Sequence, residues 1–172
     1  EYFISYPANV MAIRYKASRP GKQNLVFSYA PNPVSTGKMV ADGKNGLLWD
    51  ARLDNNDMQY AVRIRAINKG GNLSNEGGKL TVKGADEVVF LISADTDYKA
   101  NNNPDYNDPK TYVGVDPLAT TLGWVSKAEG KGYAQLQDEH YKDYSRLFNR
   151  VSLNLNDAAN ANDMPIDERL AN

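Results

Sequence analysis

Cysteine is absent from this 172-residue sequence, and histidine occurs once, at His140. The missing thiols exclude disulfide bonds, thiolate nucleophiles and thiolate metal ligands. A metal site would have to be built from one imidazole and scattered carboxylates, so we expect no metal and no other cofactor.

Long apolar runs and an excess of charge of either sign are also lacking. No apolar run approaches the roughly 18 residues that a membrane span needs. Lys and Arg number 20 against 21 Asp and Glu, so no global field attracts nucleic acid or an anionic membrane. We therefore expect neither nucleic acid nor a membrane as a partner.

The carboxylates nearest to a metal-binding pattern lie in an Asn-rich and Pro-rich segment. They are Asp95, Asp97, Asp105 and Asp108. Their spacing matches no calcium-binding loop, and no glycine stands at the sharp turn of such a loop. We interpret the segment as a solvated surface loop. The sequence also lacks the motifs of nucleotide-binding sites and of α/β-hydrolases.

Strand patterns dominate residues 1–99. Met11, Ile13 and Tyr15 alternate with polar residues, as in a strand with one buried face. Val88–Ile92 is apolar without alternation, which predicts a central strand covered on both faces. Turn residues separate such segments at intervals of roughly 8 to 14 residues. The sequence therefore predicts a mainly β fold, an antiparallel β-sandwich over residues 1–99.

The second part of the chain predicts a loop followed by helices. We expect a surface loop over residues 100–115 and a helical segment over residues 116–172. Asp116 is a suitable N-cap, and Pro117 suits the first helical position. Two consecutive helices would form an αα-hairpin, followed by a short strand at 151–155 where the period changes to two.

The second helix of this hairpin carries apolar side chains at spacings of three and four, which form one stripe. The stripe comprises Tyr133, Leu136, His140, Tyr141, Tyr144, Leu147, Phe148 and Val151. A helix with one apolar stripe needs a surface to bury it, so we predict that the stripe packs against the sandwich.

His140 and three carboxylates on the same helix are the candidates for acid–base chemistry. His140 points along the apolar stripe, so we interpret it as a histidine held in the helix–sheet interface. Asp138, Glu139 and Asp143 lie on the polar side and are typical of a solvated face. An active site for glycoside cleavage built on them would need two carboxylates across a cleft, and it remains as one alternative.

Two aromatic residues are candidates for stacking on sugar rings. Trp49 lies on the apolar side of its strand, which favours a place in the core. Tyr98 stands at the start of the long loop. If the sandwich were a stand-alone carbohydrate-binding module, Trp49 and Tyr98 would be the residues exposed to the sugar.

Three stretches of the sequence carry a resemblance to a known family. They are Glu1–Val10, Ala85–Lys99 and Gly132–Leu155, and the last is followed by Pro165–Leu170 with the sequence PIDERL. In this order and spacing they resemble the bacterial α-L-fucosidases of glycoside hydrolase family ninety-five. The resemblance spans nearly the whole chain.

In that family an N-terminal β-supersandwich and a helical linker precede a catalytic (α/α)6 barrel. The resemblance implies that this chain is an incomplete supersandwich, the second half of the N-terminal domain, followed by the linker that leads toward the barrel. The implied function is that of a non-catalytic part of an exo-acting, inverting α-L-fucosidase that removes terminal fucose from glycans. His140, Tyr144 and Arg169 would then face the barrel, and the chain alone would be inactive.

The resemblance also implies partners and a location. The partners would be the catalytic barrel of the parent chain and, through the parent enzyme, fucosylated glycans; the location would be the periplasm or the extracellular space. A sandwich without its first strands leaves a sheet uncovered, so we expect self-association through that sheet. The alternative function is a stand-alone carbohydrate-binding β-sandwich.

Overall fold

The structure is a computed structural model that describes residues 1–153 and 165–171. In these residues the chain forms nine strands and three helices. The strands are β1 (Tyr2–Ser5), β2 (Val10–Lys16), β3 (Gln23–Ser28), β4 (Ser35–Ala41), β5 (Gly46–Leu53), β6 (Gln59–Lys69), β7 (Asn72–Glu76), β8 (Lys79–Ala85) and β9 (Glu87–Thr96). The helices are α1 (Pro117–Lys131), α2 (Tyr133–Phe148) and α3 (Ile166–Ala171). None of the described helices has the length and apolar character that crossing a membrane requires.

The strands form two antiparallel sheets. One sheet has six strands in the order β1-β2-β9-β6-β5-β4, and the other has three in the order β3-β8-β7. The sheets pack face to face around Phe90, Leu47 and Leu80, and the ring of Phe27 stacks on that of Phe90 with centroids 4.7 Å apart. The predicted antiparallel β-sandwich followed by helices is confirmed.

Strand β9 is central to the larger sheet and is covered on both faces. It lies between β2 and β6. Val88 and Phe90 point into the core between the two sheets, whereas Val89 and Leu91 pack on the opposite face, beneath the helices. The unbroken apolar run Val88–Ile92 follows from this double coverage, and the predicted central strand is confirmed.

Helix α1 begins where the sequence predicts. The Asp116 carboxylate accepts a hydrogen bond of 2.9 Å from the backbone N–H of Leu118, and Pro117 is the first helical residue. Val125 and Ala128 are buried against the outer face of β9 and β2. Helix α1 is therefore the layer that covers the second face of the large sheet.

A cluster of charged side chains fixes both ends of α1 on strand β6. One Asp42 oxygen lies 2.7 Å from Nη1 of Arg63 and 2.9 Å from Nη2 of Arg65. Arg63, which is buried, also donates to the carbonyl oxygen of Leu118 at 3.2 Å. Near the other end of the helix, Glu129 lies 3.6 Å from Nε of Arg65. The Asp42 carboxylate thus bridges two arginines under the helix, and Glu129 supplies a second negative charge beside Arg65.

An elbow between α1 and α2 sets the direction of α2. Gly132 joins the two helices with φ 75°, a conformation that costs other residues more than glycine. Across the elbow, Lys131 Nζ lies 2.6 Å from Glu139, and Gln135 donates to the same carboxylate at 3.0 Å. The hydrogen bond from Lys131, and then that from Gln135, hold the pKa of Glu139 below its ordinary value.

Two local predictions differ from the structure. Strand β7 was not expected, because Asn72–Glu76 is polar and only Leu73 packs on the core. It forms because the turn that follows it, at Gly77 and Gly78, lays it antiparallel to β8. The strand predicted at 151–155 is not seen over its described residues, since 151–153 form neither helix nor strand. Residues 154 and 155 lie outside the described part of the chain.

The charge cluster predicts that replacing Asp42 lowers the free energy of unfolding more than replacing Asp57 does. Asp42→Asn should lower the free energy of unfolding by about 2–4 kcal/mol, because two arginines in a shielded site lose their shared counter-charge. Asp57→Asn is the control. Asp57 pairs with Arg52 at 3.3 Å on the surface, and its loss should cost less than about 1 kcal/mol. Urea unfolding at pH 7 measures both, and equal effects would contradict this account of the cluster.

The elbow predicts a pH dependence of stability. Since the folded-state pKa of Glu139 lies below its ordinary value of 4.5, its pairing stabilises the fold above about pH 4.5 and is lost as the pH falls through the lower value. Glu139→Gln should therefore be less stable than the wild type at pH 7, and the difference should shrink toward pH 3. Urea unfolding midpoints across this range test it. A difference that stays constant over the whole range would show that the charge of Glu139 is not responsible.

Candidate functional site

Helix α2 buries only the first part of its apolar stripe. Leu136, near its start, is 0% exposed, whereas Phe148, at its end, is 64% exposed. Tyr141, Tyr144 and Leu147 between them are exposed as well. The prediction that the whole stripe packs against the sandwich is therefore wrong for its second half.

The edge of the large sheet explains this difference. Helix α2 packs on the sandwich at β1, which is the edge strand of the sheet. The helix has 16 residues, a length of about 24 Å at 1.5 Å per residue. Its first turns cover the sheet, and the remaining turns extend past the edge. They carry apolar side chains that the described residues leave uncovered.

A row of stacked rings connects the buried and exposed parts of α2. The His140 ring stacks on Phe3 of β1 with centroids 5.0 Å apart, and on Tyr144 at 6.1 Å. Tyr144 in turn stacks on Phe148 at 5.3 Å. His140 thus lies between the strand and the exposed half of the helix, in contact with aromatic rings. This environment suits a packing role.

A shallow groove runs between β1 with its following turn and the exposed half of α2. It is lined by Ile4, Tyr6, His140, Asp143, Tyr144, Arg146 and Leu147. Most of these side chains are apolar, and the charged pair formed by Asp143 and Arg146 contributes the polar part. We call the surface formed by these residues and Phe148 the β1–α2 face. Of the three residues predicted to face a catalytic barrel, His140 and Tyr144 lie on it, and the Arg169 side chain is outside what the structure describes.

The three candidate carboxylates of α2 do not form a catalytic pair. Each lies near a basic side chain. The pairs are Asp138 with Lys142, Glu139 with Lys131 and Asp143 with Arg146. Because they follow one helix and are occupied by cations, they do not flank a cleft in the way that glycoside cleavage requires. The geometry gives no support to an active site on these residues.

The two candidates for sugar binding have opposite surroundings. Trp49 is 8% exposed in the core of the sandwich, and its indole N–H donates to the Tyr60 hydroxyl at 2.9 Å. Its ring is therefore not available to a sugar, and a carbohydrate-binding role for Trp49 is ruled out by its burial. Tyr98 is exposed and stacks on Tyr112, with centroids 6.0 Å apart and planes 20° apart.

The carboxylates of the long loop accept hydrogen bonds from backbone N–H groups. Asp97 is buried and accepts from the backbone N–H of Gln59 at 3.1 Å. Asp105 accepts from the N–H of Asn107 at 2.9 Å. Over residues 1–153 and 165–171, no three His, Cys, Asp or Glu side chains come together in a way that would hold a metal ion.

Two known protein families match consecutive parts of the chain. Residues 1–101 match the family described as "Glycosyl hydrolase family 65, N-terminal domain". Residues 132–172 match the "Glycosyl hydrolase family 95 catalytic domain". The second match begins at the elbow and includes all of α2, so it contains the helical half of the β1–α2 face.

Two curated proteins are similar over nearly the whole chain. "Probable alpha-fucosidase A" of Aspergillus niger is 29% identical over 99% of this chain and 22% of its own length. "Alpha-L-fucosidase 2" of Arabidopsis thaliana is 25% identical over 90% of this chain and 20% of its own length. The chain thus spans about a fifth of these relatives. The resemblance to family 95 fucosidases is confirmed, and the chain belongs to the glycosyl hydrolase family 65 N-terminal domain family, continued into a segment of the family 95 catalytic domain.

Proposed function

We propose that this chain is a non-catalytic part of an exo-acting, inverting α-L-fucosidase that removes terminal fucose from glycans. Both relatives are named as fucosidases, which supports this activity for the longer protein. The main support for a non-catalytic role is the β1–α2 face. It is an exposed apolar surface, and its one carboxylate, Asp143, has no second carboxylate across the groove. Its role in this proposal is to dock the catalytic domain.

The composition of the β1–α2 face supports a protein contact. Tyrosine, phenylalanine and leucine side chains stand next to one another there, and a single charged pair lies among them. Contiguous apolar patches rimmed by polar groups are typical of protein-binding surfaces. Aromatic side chains contribute most of the binding energy in such contacts.

The occupant that we propose is the catalytic (α/α)6 barrel of the same longer protein. The family 95 catalytic match starts at residue 132 and runs on past α2. The chain that follows α2 therefore starts beside this face, which keeps a covalently linked domain at high effective concentration. The location that we propose for the whole enzyme, the periplasm or the extracellular space, rests on the resemblance and on a glycan substrate.

A matched pair of leucines tests the docking role in the longer protein. Leu147 on the β1–α2 face is 49% exposed, and Leu122 on α1 is 44% exposed. Leu147→Asp would place a charge in the domain contact, and we expect it to lower the melting temperature and the rate of fucose release. Leu122→Asp introduces the same change at similar exposure in another helix, and we expect it to change both much less. Equal losses in the two variants would contradict a contact centred on α2.

The Leu147→Asp and Leu122→Asp variants also test whether this chain self-associates when the rest of the longer protein is absent. There the β1–α2 face and the open sheet edges are available to a second copy, and we propose that the chain self-associates. Sedimentation velocity should show a mass that rises with concentration and falls toward that of a monomer in Leu147→Asp. A wild-type chain that stays monomeric at high concentration would contradict this part. We also expect the chain alone to release no fucose.

A stand-alone carbohydrate-binding module is the second candidate function. The observation that favours it is the exposed pair of Tyr98 and Tyr112 in the long loop. The same tyrosine pair could also contact the glycan in a sandwich that is docked on a catalytic domain.

A further inference from the structure

The segment between β9 and α1 is long, yet it is held by specific hydrogen bonds. It forms neither helix nor strand from Asp97 to Asp116, apart from one isolated bridge. The N–H of Lys99 donates to the carbonyl of Tyr112 at 2.7 Å. The Asn101 amide donates to the carbonyl of Thr111 at 3.1 Å, and the N–H of Asp105 donates to the Thr111 hydroxyl at 2.9 Å. Long ordered loops of this kind often have a function.

Three tyrosines of this segment lie together on its surface. Tyr98, Tyr106 and Tyr112 are all exposed, and Tyr98 stacks on Tyr112. Partial desolvation raises the pKa of Tyr112, and the nearby Tyr106 adds to the shift. Single exposed aromatic residues are ordinary, but a stacked pair, Tyr98 and Tyr112, with Tyr106 exposed on the same hydrogen-bonded loop, forms a preorganised aromatic surface. We call these three residues the tyrosine platform.

The surroundings of the platform differ from those of the β1–α2 face. They are rich in side-chain amides and carboxylates, which bind hydroxyl groups. These residues are Asn101, Asn102, Asn103, Asp105, Asn107 and Asp108. Asn101, Asp105 and Asp108 already hydrogen-bond within the loop, so Asn102, Asn103 and Asn107 are the side chains that we assign to the sugar hydroxyls. An aromatic ring presents an apolar face to the C–H face of a pyranose, while neighbouring polar groups bind its hydroxyls. The arrangement therefore fits a sugar ring.

The charge of the loop and an apolar side chain next to the tyrosines limit the class of ligand that the platform could bind. From Asp97 to Asp116 the loop holds two Lys against four Asp, and this negative balance disfavours nucleic acid, which needs cations beside the stacking rings. Val113 pairs with Tyr98 in the isolated bridge and is exposed. Residues paired in this way place their side chains on the same face. An apolar side chain next to the platform suits the methyl group of a 6-deoxy sugar.

We propose that the tyrosine platform binds a 6-deoxyhexose at the end of a fucosylated glycan. The identity of the sugar rests on the proposed function, whereas the presence of a pyranose-binding platform rests on the loop itself.

Ligand-observed NMR of the chain with 2′-fucosyllactose tests the platform. We expect saturation transfer to the fucose protons, with lactose giving a weaker response because it lacks the 6-deoxy sugar. Tyr98→Ala should weaken binding about tenfold through the lost stacking surface. Tyr98→Phe keeps the ring and should retain binding.

Tyr141→Ala is the matched control, because Tyr141 is 59% exposed on α2 and Tyr98 is 58% exposed on the loop. The proposal is contradicted if Tyr141→Ala and Tyr98→Ala weaken sugar binding equally. It is also contradicted if Tyr98→Ala binds the sugar as well as the wild type does. No response from the wild-type chain at millimolar sugar also overturns it. Equal binding of lactose overturns the preference for a 6-deoxy sugar. Fucose release by the longer protein is measured separately with Leu147→Asp, so a failed platform and a failed docking role give different results.

Discussion

The coverage of β9 on both faces is the constraint on which the rest of the structure depends. One face packs against the small sheet through Val88 and Phe90, and the other packs against helices through Val89 and Leu91. A strand with two apolar faces requires a layer on each side. The sandwich supplies one layer and α1 supplies the other, so α1 belongs to the same folded unit as the sheets.

The position of α1 then determines what α2 exposes. The Asp42 cluster holds α1 on β6, and the Lys131–Glu139 contact directs α2 across the edge strand β1. Because the sheet ends at β1, the second half of α2 has apolar side chains and no surface among the described residues to cover them. An exposed apolar stripe on a well-formed helix is costly in water, and a further domain at this position would remove that cost.

Local sequence patterns correctly predict two kinds of feature in this fold: a strand covered on both faces and the start of a helix. The run Val88–Ile92 predicts a doubly covered strand, and Asp116 before Pro117 predicts the start of α1. The stripe of α2 predicts an apolar face correctly but not its partner, because periodicity shows which residues avoid water and not where the sheet ends. Similarly, the alternation along β6 places Arg63 and Arg65 on one face, while their shared Asp42 comes from a turn that only the tertiary fold brings close.

We propose above that the catalytic domain covers the β1–α2 face in the longer protein. Hydroxyl-radical footprinting of side chains, on this chain and on the longer protein, tests it directly. We expect Tyr144 and Phe148 to be oxidised readily in the chain alone and to be strongly protected in the longer protein. Val26 on β3, which is exposed, should be oxidised equally in both. Equal oxidation of Tyr144 and Phe148 in the two proteins would contradict the claim.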